Sequence, residues 1–373
     1  MNIDDYVGRF ETEPGYLDFA NLGPIGAAVQ DELAAHLGLL SHARFGAFEA
    51  LRALDVRMRE AVSALVHVPA EQVSDQPNTS QGLMHAMFGV TGGVALSRAG
   101  YPGLTFAAQR AADALGVVTP RWIDTDHGRI TPGNLREQLD GSISAVALSL
   151  VDYRTGHLVD LEGIRQVIGD RLLIVDAMQG FGVVDAPYEL ADVVVGSGRT
   201  WVRAGWGTGF MALSERAIER LTPVWTGFVP NGNTLEHSGE VTPPPRSARA
   251  FGVSDPDPLA QARLSAALEE IERVGVPAIG AKVAENVSRL IDLADEFALP
   301  VVSPRAEHER AGIVVVEPEP EHLTVLAAAL HNHGVSAAVG GGRVRLSAHA
   351  TTNEETLAMV RSAFLSFSTA IPG

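Results

Sequence analysis

Polar side chains gather at four points of this 373-residue sequence, where an apolar run ends or a helical pattern begins. The first is DQPNTSQGLMHAMFGV, residues 75–90, in which Thr79 and Ser80 precede an apolar-periodic helix. Hydroxyls and free backbone N–H groups at a helix start bind anions, because the helix dipole favours negative charge there. A plain helix cap around Asn78 explains the same residues. The segment predicts either an anion site or a cap.

The second point is LLIVDAMQGFG, residues 172–182, where Asp176 ends an apolar strand and Gln179 follows three residues later. Ligands of open α/β sheets bind at the carboxyl ends of strands, so Asp176 is placed to meet one. A buried carboxylate is costly unless a cation pairs with it, and a capping acid is the alternative. The third segment, SLVDYRTGHLVD at 149–160, has the same form. Its Tyr153 either lines that crevice or packs.

The fourth point is GGGRVRLSAHATTNEETLAMV, residues 340–360, which places Arg345 on a strand with Arg343 and Ser347 on the same face. Arginine is the usual bidentate partner of a carboxylate. A carboxylate-binding role and a surface salt bridge are both open for Arg345.

The elements that must position these residues alternate along the chain. Continuous apolar runs predict strands buried on both faces of a largely parallel sheet covered by helices, at residues 144–150, 171–177, 191–197 and 208–213. After about residue 240, a proline-rich stretch leads to two long helices and a few strands, which is typical of a smaller α+β lobe. We expect a large α/β domain over 30–245 and a small domain built from 1–29 and 246–373.

Composition excludes several classes of function. The chain has 28 basic and 45 acidic residues, a formal charge of −17, which argues against a nucleic-acid or anionic-membrane partner. It has no cysteine, which excludes disulfides, thiolate catalysis and cysteine-ligated metal centres. The start of the sequence lacks a secretion signal, and no apolar run approaches the ~18 residues that span a bilayer. These features predict a soluble cytoplasmic protein.

Taken in this order, the segments resemble the class V branch of the fold-type I pyridoxal-phosphate (PLP) enzymes, which holds cysteine desulfurases, isopenicillin-N-epimerase-like proteins and kynureninase. The resemblance runs from YLDFANLGPIG (16–26) to VRLSAHATTNEETL (344–357). YPGLTFAAQ (101–109) and DYRTG (152–156) are most like kynureninase or the related C–S lyases. The resemblance to this family implies a large lobe with a mostly parallel, seven-stranded-type sheet and a smaller α+β lobe. It also implies a homodimer with its active site at the subunit boundary.

The resemblance also implies a phosphate site. Thr79 and Ser80 match the family's phosphate loop, and Ser197 and Arg199 fall on the serine and histidine that grip the phosphate. Thr242, in VTPP, resembles a threonine that one subunit lends to the phosphate of its partner.

The remaining matches surround the cofactor ring and the substrate. Tyr101 matches the aromatic residue that stacks on the ring, Asp176 the aspartate that pairs with the pyridinium nitrogen, and Gln179 the residue that faces the ring hydroxyl. Tyr153 lies where an asparagine or tyrosine lines the same edge. Arg345 matches the arginine that binds the substrate carboxylate.

One position departs from the family. In ADVVVGSGRTWVRAGWGTGFMAL, residues 191–213, Thr200 falls where the family has the lysine that forms a Schiff base with the cofactor. A threonine hydroxyl cannot form that bond and is a poor base near neutral pH. Lys282, the only lysine in the chain, is predicted on a helix of the small lobe.

Three explanations for Thr200 stay open. The lysine was replaced deliberately to trap a cofactor adduct, the chain is a natural lysine-less homologue, or the pocket has lost the cofactor. Retention of Asp176, Gln179 and Arg345 favours the second. A natural lysine-less homologue would be a class V aminotransferase-like enzyme that holds PLP or its amine form PMP noncovalently. It would act on an amino-acid-type substrate by amino transfer, C–S β-elimination or epimerisation. The alternative is a PLP-independent or non-catalytic homologue that binds another anionic small molecule.

Overall fold

The computed structural model of the chain describes residues 1–125, 128–227 and 239–371. The strands of these ranges are β1 Val73–Gln76, β2 Gly92–Ser97, β3 Val118–Ile123, β4 Ile143–Ser149, β5 Leu172–Asp176, β6 Val193–Ser197, β7 Gly209–Leu213, β8 Ile313–Val316, β9 Ala338–Gly340 and β10 Arg343–Ser347. The α-helices are α1 Ile3–Val7, α2 Ala27–His42, α3 Ala47–Arg52, α4 Leu54–Val66, α5 Thr79–Gly89, α6 Pro102–Leu115, α7 Pro132–Gln138, α8 Leu161–Ile168, α9 Glu215–Arg220, α10 Pro258–Val274, α11 Val276–Glu296, α12 Leu323–Asn332 and α13 Glu354–Ala370.

Seven strands form the main sheet, in the order β1-β7-β6-β5-β4-β2-β3. The neighbouring pairs from β3 to β6 are parallel, and β7 pairs antiparallel with both β6 and β1. Alternate residues face opposite layers of the core: Val146 and Leu148 point to one, Ala145 and Ala147 to the other. A strand buried on both faces needs apolar residues throughout, which explains the continuous apolar runs. The predicted mostly parallel sheet is confirmed.

The carboxyl edge of this sheet brings three strand ends together. The register places Ser149 opposite Asp176 and Asp176 opposite Val195, two residues before β6 ends at Ser197. Helix α5 begins beside them, because β1 pairs with β7 and leads directly into the helix. Its Gly82 packs so closely on β6 that a Cβ atom there would lie 2.5 Å from Val195 Cγ1.

A second, three-stranded antiparallel sheet has the order β8-β10-β9. The N-terminal residues reach it through a bridge from Asp18 to Ser347 on β10, and Tyr16 bridges to Ser336 just before β9. Helix α10 packs against α2 and α4, so the domain boundary near residue 245 stays a prediction. In the described ranges, no helix is long and apolar enough to cross a membrane.

Candidate active site

Asp176 ends β5 as a buried carboxylate. The hydroxyl of Ser149 donates to its Oδ2 at 3.1 Å, and the N–H of Met178 donates to its Oδ1 at 3.1 Å. Within the described residues, no basic side chain lies at ion-pair distance from it. Burial raises the pKa of Asp176 to about 6, although both hydrogen bonds lower it. Sequence reasoning found Asp176 but missed Ser149, whose role depends on the register of β4 and β5.

The start of α5 contains both a cap and an unused hydroxyl. Asn78 is the cap, since its Oδ1 accepts the Gln81 N–H at 3.0 Å. Thr79 is 2% exposed, and its Oγ1 has no hydrogen-bond partner among the described residues. Ser80 is exposed and lies near Tyr101, because a Cβ on Gly103 would sit 2.7 Å from Tyr101 Cε1 and 3.4 Å from Ser80 Oγ. The capping interpretation therefore accounts for Asn78 and leaves the Thr79 hydroxyl free for a ligand.

The loop after β6 carries a cation. Ser197 is buried, and its Oγ accepts the backbone N–H of Arg199 at 3.3 Å. The Arg199 guanidinium lies over the exposed indole of Trp206, with its Cζ 4.7 Å from the ring centroid. Its buried Nε has no partner in the part of the chain that the structure describes. The loop thus holds a guanidinium group with donor capacity to spare.

Two tyrosines line the cleft, our name for the space beside Asp176 and Arg199 at the carboxyl edge of the main sheet. Tyr101 is the N-cap of α6, and its ring meets that of Tyr153 edge to face, with centroids 5.6 Å apart. Burial raises the pKa of Tyr101, the Asp176 carboxylate raises it further, and the Arg199 guanidinium lowers it. Since both charges act on one phenol, the carboxylate and the cation both lie near Tyr101.

Thr200 is fully buried, and its hydroxyl donates to the Met178 carbonyl at 3.1 Å. The amide of Gln179 is also engaged by protein. The Trp201 indole N–H donates to its Oε1 at 2.9 Å, and its Nε2 donates to the Ala20 carbonyl at 3.0 Å. One N–H of Gln179 remains, so its role towards a ring hydroxyl stays a prediction. Lys282 lies on α11, where its Nζ pairs with Glu285 at 2.9 Å.

Arg345, on β10, is held by three groups. Its Nη2 donates to Asn21 Oδ1 at 2.9 Å and lies 3.6 Å from Asp18 Oδ1, and its Nη1 donates to the Tyr153 carbonyl at 3.3 Å. Its side chain is 14% exposed, and burial lowers its pKa. Arg343 instead pairs with Glu317 at the surface. Sequence reasoning missed Asp18 and Asn21 as partners of Arg345.

Thr242 is exposed on an irregular segment just after the undescribed residues 228–238. Its contact with a second subunit stays a prediction.

The chain matches the family described as aminotransferase class-V over residues 56–370. It belongs to the class-V aminotransferase family. This class-V protein is 28% identical to the kynureninase of Deinococcus radiodurans over 276 residues, which are 70% of this chain and 65% of that protein. The chain therefore spans less than two thirds of that relative's length.

Solved structures show the fold of this class-V protein. The apo structure of a cysteine desulfurase from Thermococcus onnurineus has a TM-score of 0.84 at 19% identity, covering 96% of this chain and 95% of that one. A mutant of the lyase C-DES, with glycine covalently linked to its PLP cofactor, has a TM-score of 0.83 at 18% identity, covering 94% of this chain and 97% of that one. These likenesses confirm the predicted fold class, a mixed α/β fold of the fold-type I PLP enzymes.

Proposed function

We propose that this protein is a class-V enzyme that acts on an amino-acid-type substrate and holds PLP or PMP noncovalently between α5 and the carboxyl edge of the main sheet. The observation that carries the proposal is Asp176, a buried carboxylate with no cation beside it in the described residues. A carboxylate in that position costs free energy unless a positive group completes it. The protonated nitrogen of a pyridine ring is such a group, so Asp176 fits the cofactor.

The unused donors at the start of α5 and on the loop after β6 suit a phosphate. The Thr79 hydroxyl and the Arg199 Nε are buried donors without partners in the described chain, and Thr79 also opens a helix of 11 residues. Hydrogen bonds to a charged group contribute about 1.5–3 kcal/mol each. A few such bonds retain the cofactor without a covalent bond, which supports noncovalent binding.

Each remaining side chain has a distinct role in this proposal. When bound, the cofactor supplies an electron sink for chemistry at the substrate α-carbon. Asp176 would hold a proton on the ring nitrogen, and Tyr101 would stack on the ring. Arg345 binds the substrate carboxylate. Thr200 directs its proton at Met178, so Tyr153 is the proposed group for proton transfer. Amino transfer, C–S β-elimination and epimerisation all remain compatible with these roles.

A second candidate function is noncatalytic binding of another anionic small molecule. The observation that favours it is the engagement of both Thr200 and Gln179 by protein groups, which leaves little chemistry at the ring edge. The two candidates differ in whether Asp176 contributes to ligand affinity.

The test is calorimetric titration of PLP into the protein and into Asp176→Asn and Thr200→Lys variants, followed by borohydride treatment and mass spectrometry. We expect PLP binding without a reducible covalent linkage in the protein itself, about tenfold weaker binding in Asp176→Asn, and a reduced linkage only in Thr200→Lys. Arg289→Ala is the matched control, because Arg289 pairs with the exposed Glu354 outside the cleft. Absence of binding in both the protein and Thr200→Lys would contradict the cofactor proposal.

The proposed assembly is a homodimer with the cleft at its boundary. Large apolar side chains are exposed on α2, on α3 and in the turn between them, at Leu37, Leu40, Phe45 and Phe48. Exposed apolar patches of this kind mark contact surfaces. Light scattering should give twice the chain mass, and Phe45→Ser with Phe48→Ser should halve it, whereas Phe106→Ser on α6 should not. A single-chain mass for the unaltered protein would contradict the dimer.

A further inference from the structure

Arg203 is a buried arginine in an unusual position. It is 1% exposed, and its backbone φ is 63°, in the left-handed region that favours glycine. Within the described ranges, no carboxylate pairs with its guanidinium, and burial lowers its pKa to about 10. Both the charge and the backbone angle cost free energy, so surrounding contacts must compensate for them.

Those contacts tie three distant parts of the chain together. The Arg203 Nε donates to the Pro24 carbonyl at 2.5 Å, Nη2 to Thr12 Oγ1 at 2.6 Å and Nη1 to Thr351 Oγ1 at 3.0 Å. The Cζ atom also lies 3.8 Å from the centroid of the Phe10 ring. Every nitrogen of the guanidinium is therefore committed to holding protein segments.

The N-terminal residues that Arg203 contacts belong to a stretch of chain that borders the cleft. We call residues 16–24 the covering segment. Its Gly23 N–H donates to the Arg199 carbonyl at 2.8 Å, and its Ala20 carbonyl accepts from Gln179. A Cβ on Gly23 would lie 1.9 Å from the Thr200 carbonyl oxygen, so the segment rests directly on the loop after β6.

The covering segment also supplies the partners of Arg345. Asn21 and Asp18 are the two side chains that contact the Arg345 Nη2. Asn21 is exposed, so its own packing does not fix its position. Its amide donates to both carboxylate oxygens of Asp18, at 3.0 and 2.9 Å, so its position follows that of the segment. The segment is attached to Ser347 through Leu17 and Ala20, and at its other end through Pro24 to Arg203.

We propose that Arg203 is a positioning residue: by fixing the covering segment, it holds Asn21 and Asp18 against Arg345 and so sets the direction in which Arg345 meets a substrate carboxylate. The substrate role of Arg345 rests on the proposed function. The contacts themselves are made within the chain, so the positioning role is measured without cofactor.

The test is Arg203→Gly, which removes the guanidinium and leaves a residue suited to the positive φ. Two readouts follow the unliganded variant: amide hydrogen exchange, and the rate at which phenylglyoxal modifies Arg345, read by peptide mass spectrometry. We expect exchange in the covering segment to be about tenfold faster and Arg345 to be modified severalfold faster, with exchange in β5 and β6 unchanged. Arg203→Lys keeps one donor and should give intermediate rates.

The matched control is Arg165→Met. Arg165 donates to Asp192 at 2.7 Å and to the Leu190 carbonyl at 2.9 Å, contacts outside the cleft. Its loss should lower stability and leave the reactivity of Arg345 unchanged. If Arg203→Gly does not fold, Thr12→Val with Thr351→Val removes the two hydrogen bonds that hold the guanidinium in place against Pro24, and should give the same two changes at smaller size.

Unchanged exchange in the covering segment and unchanged Arg345 reactivity in a folded variant overturn the positioning role. PLP titration separates this result from the proposed function. If Arg345 is modified faster in Arg203→Gly and the protein binds no PLP, the positioning role is supported and the cofactor proposal is contradicted.

Discussion

At the residue scale, the protonation of Asp176 depends on whether a cation reaches it. Burial raises its pKa to about 6, against about 3.9 for an exposed aspartate. The folded pKa lies above the unfolded value, so the contribution of Asp176 to stability is complete below about pH 4 and is lost as the pH rises through about 6. A bound cation would remove this loss.

Asp176→Asn removes that titration. Without ligand, the free energy of unfolding of Asp176→Asn, compared with that of the unaltered protein, should increase between about pH 4 and pH 7. The increase should reach ~3 kcal/mol, because the pKa of Asp176 differs by about two units between the folded and unfolded states. Thermal melts across this pH range measure the difference. Asp31→Asn, on the exposed surface, is the control. A difference that stays constant with pH contradicts the prediction.

Thr79→Val should have effects of opposite sign on stability and binding. The variant removes a buried hydroxyl with no partner in the described chain, which should raise the unliganded melting temperature by the equivalent of ~1 kcal/mol. It also removes a phosphate donor, which should weaken PLP binding about tenfold. Thr356→Val is the control, because the Thr356 hydroxyl bonds to both Asn353 and Gly15, so this variant should lose stability. Lower stability in Thr79→Val would mean that its hydroxyl already has a partner.

At the element scale, the cleft depends on how closely α5 approaches β6. Gly82→Ala places a methyl group 2.5 Å from Val195 Cγ1, so the start of α5 must move away from the sheet. We expect a loss of about 1–3 kcal/mol in the free energy of unfolding, together with weaker PLP binding.

Chemical denaturation and calorimetry measure these two effects of Gly82→Ala. Gly38→Ala on α2 is the matched control. A Cβ there meets no atom within 4 Å, and alanine favours a helix, so it should add about 0.4–1 kcal/mol. Equal stability changes in both variants would contradict the close packing.

The sequence predicts elements whose burial leaves a pattern. Strands β4 to β7 are buried on both faces, and their continuous apolar runs predict them from the sequence. The strand β3 was not predicted, since it lies at the sheet edge, contains Pro120 and exposes every second residue. Asn21 and Arg345 are 324 residues apart, so no periodicity signals their contact. The locations of Asp176 and Thr79 are predictable, because Asp176 ends an apolar run and Thr79 begins a helical pattern.

At the scale of the whole molecule, the charge of −17 opposes the approach of an anionic cofactor, although the cleft itself carries arginines. The two effects act over different distances. Salt at about 0.1 M screens charges beyond about 10 Å and leaves contacts inside the cleft largely intact.

The rate of PLP association should therefore rise severalfold as the salt concentration increases from about 20 to about 200 mM. Stopped-flow absorbance measures this rate. Pyridoxal, which lacks the phosphate, is the control and should associate at a rate independent of salt. A rate that falls with salt would mean that the arginines of the cleft dominate the long-range field.

The covering segment has a consequence for biosynthesis. Ala20 donates its N–H to the hydroxyl of Ser347, and the two residues are 327 positions apart. Because a ribosome makes a chain from its N-terminal side, residues 16–24 are synthesised before β10, and the bond to Ser347 forms only after β10 has been made. The covering segment is thus made well before this partner and cannot be fully docked until β10 is present. A nascent chain that stops before β10 lacks this attachment point for the covering segment.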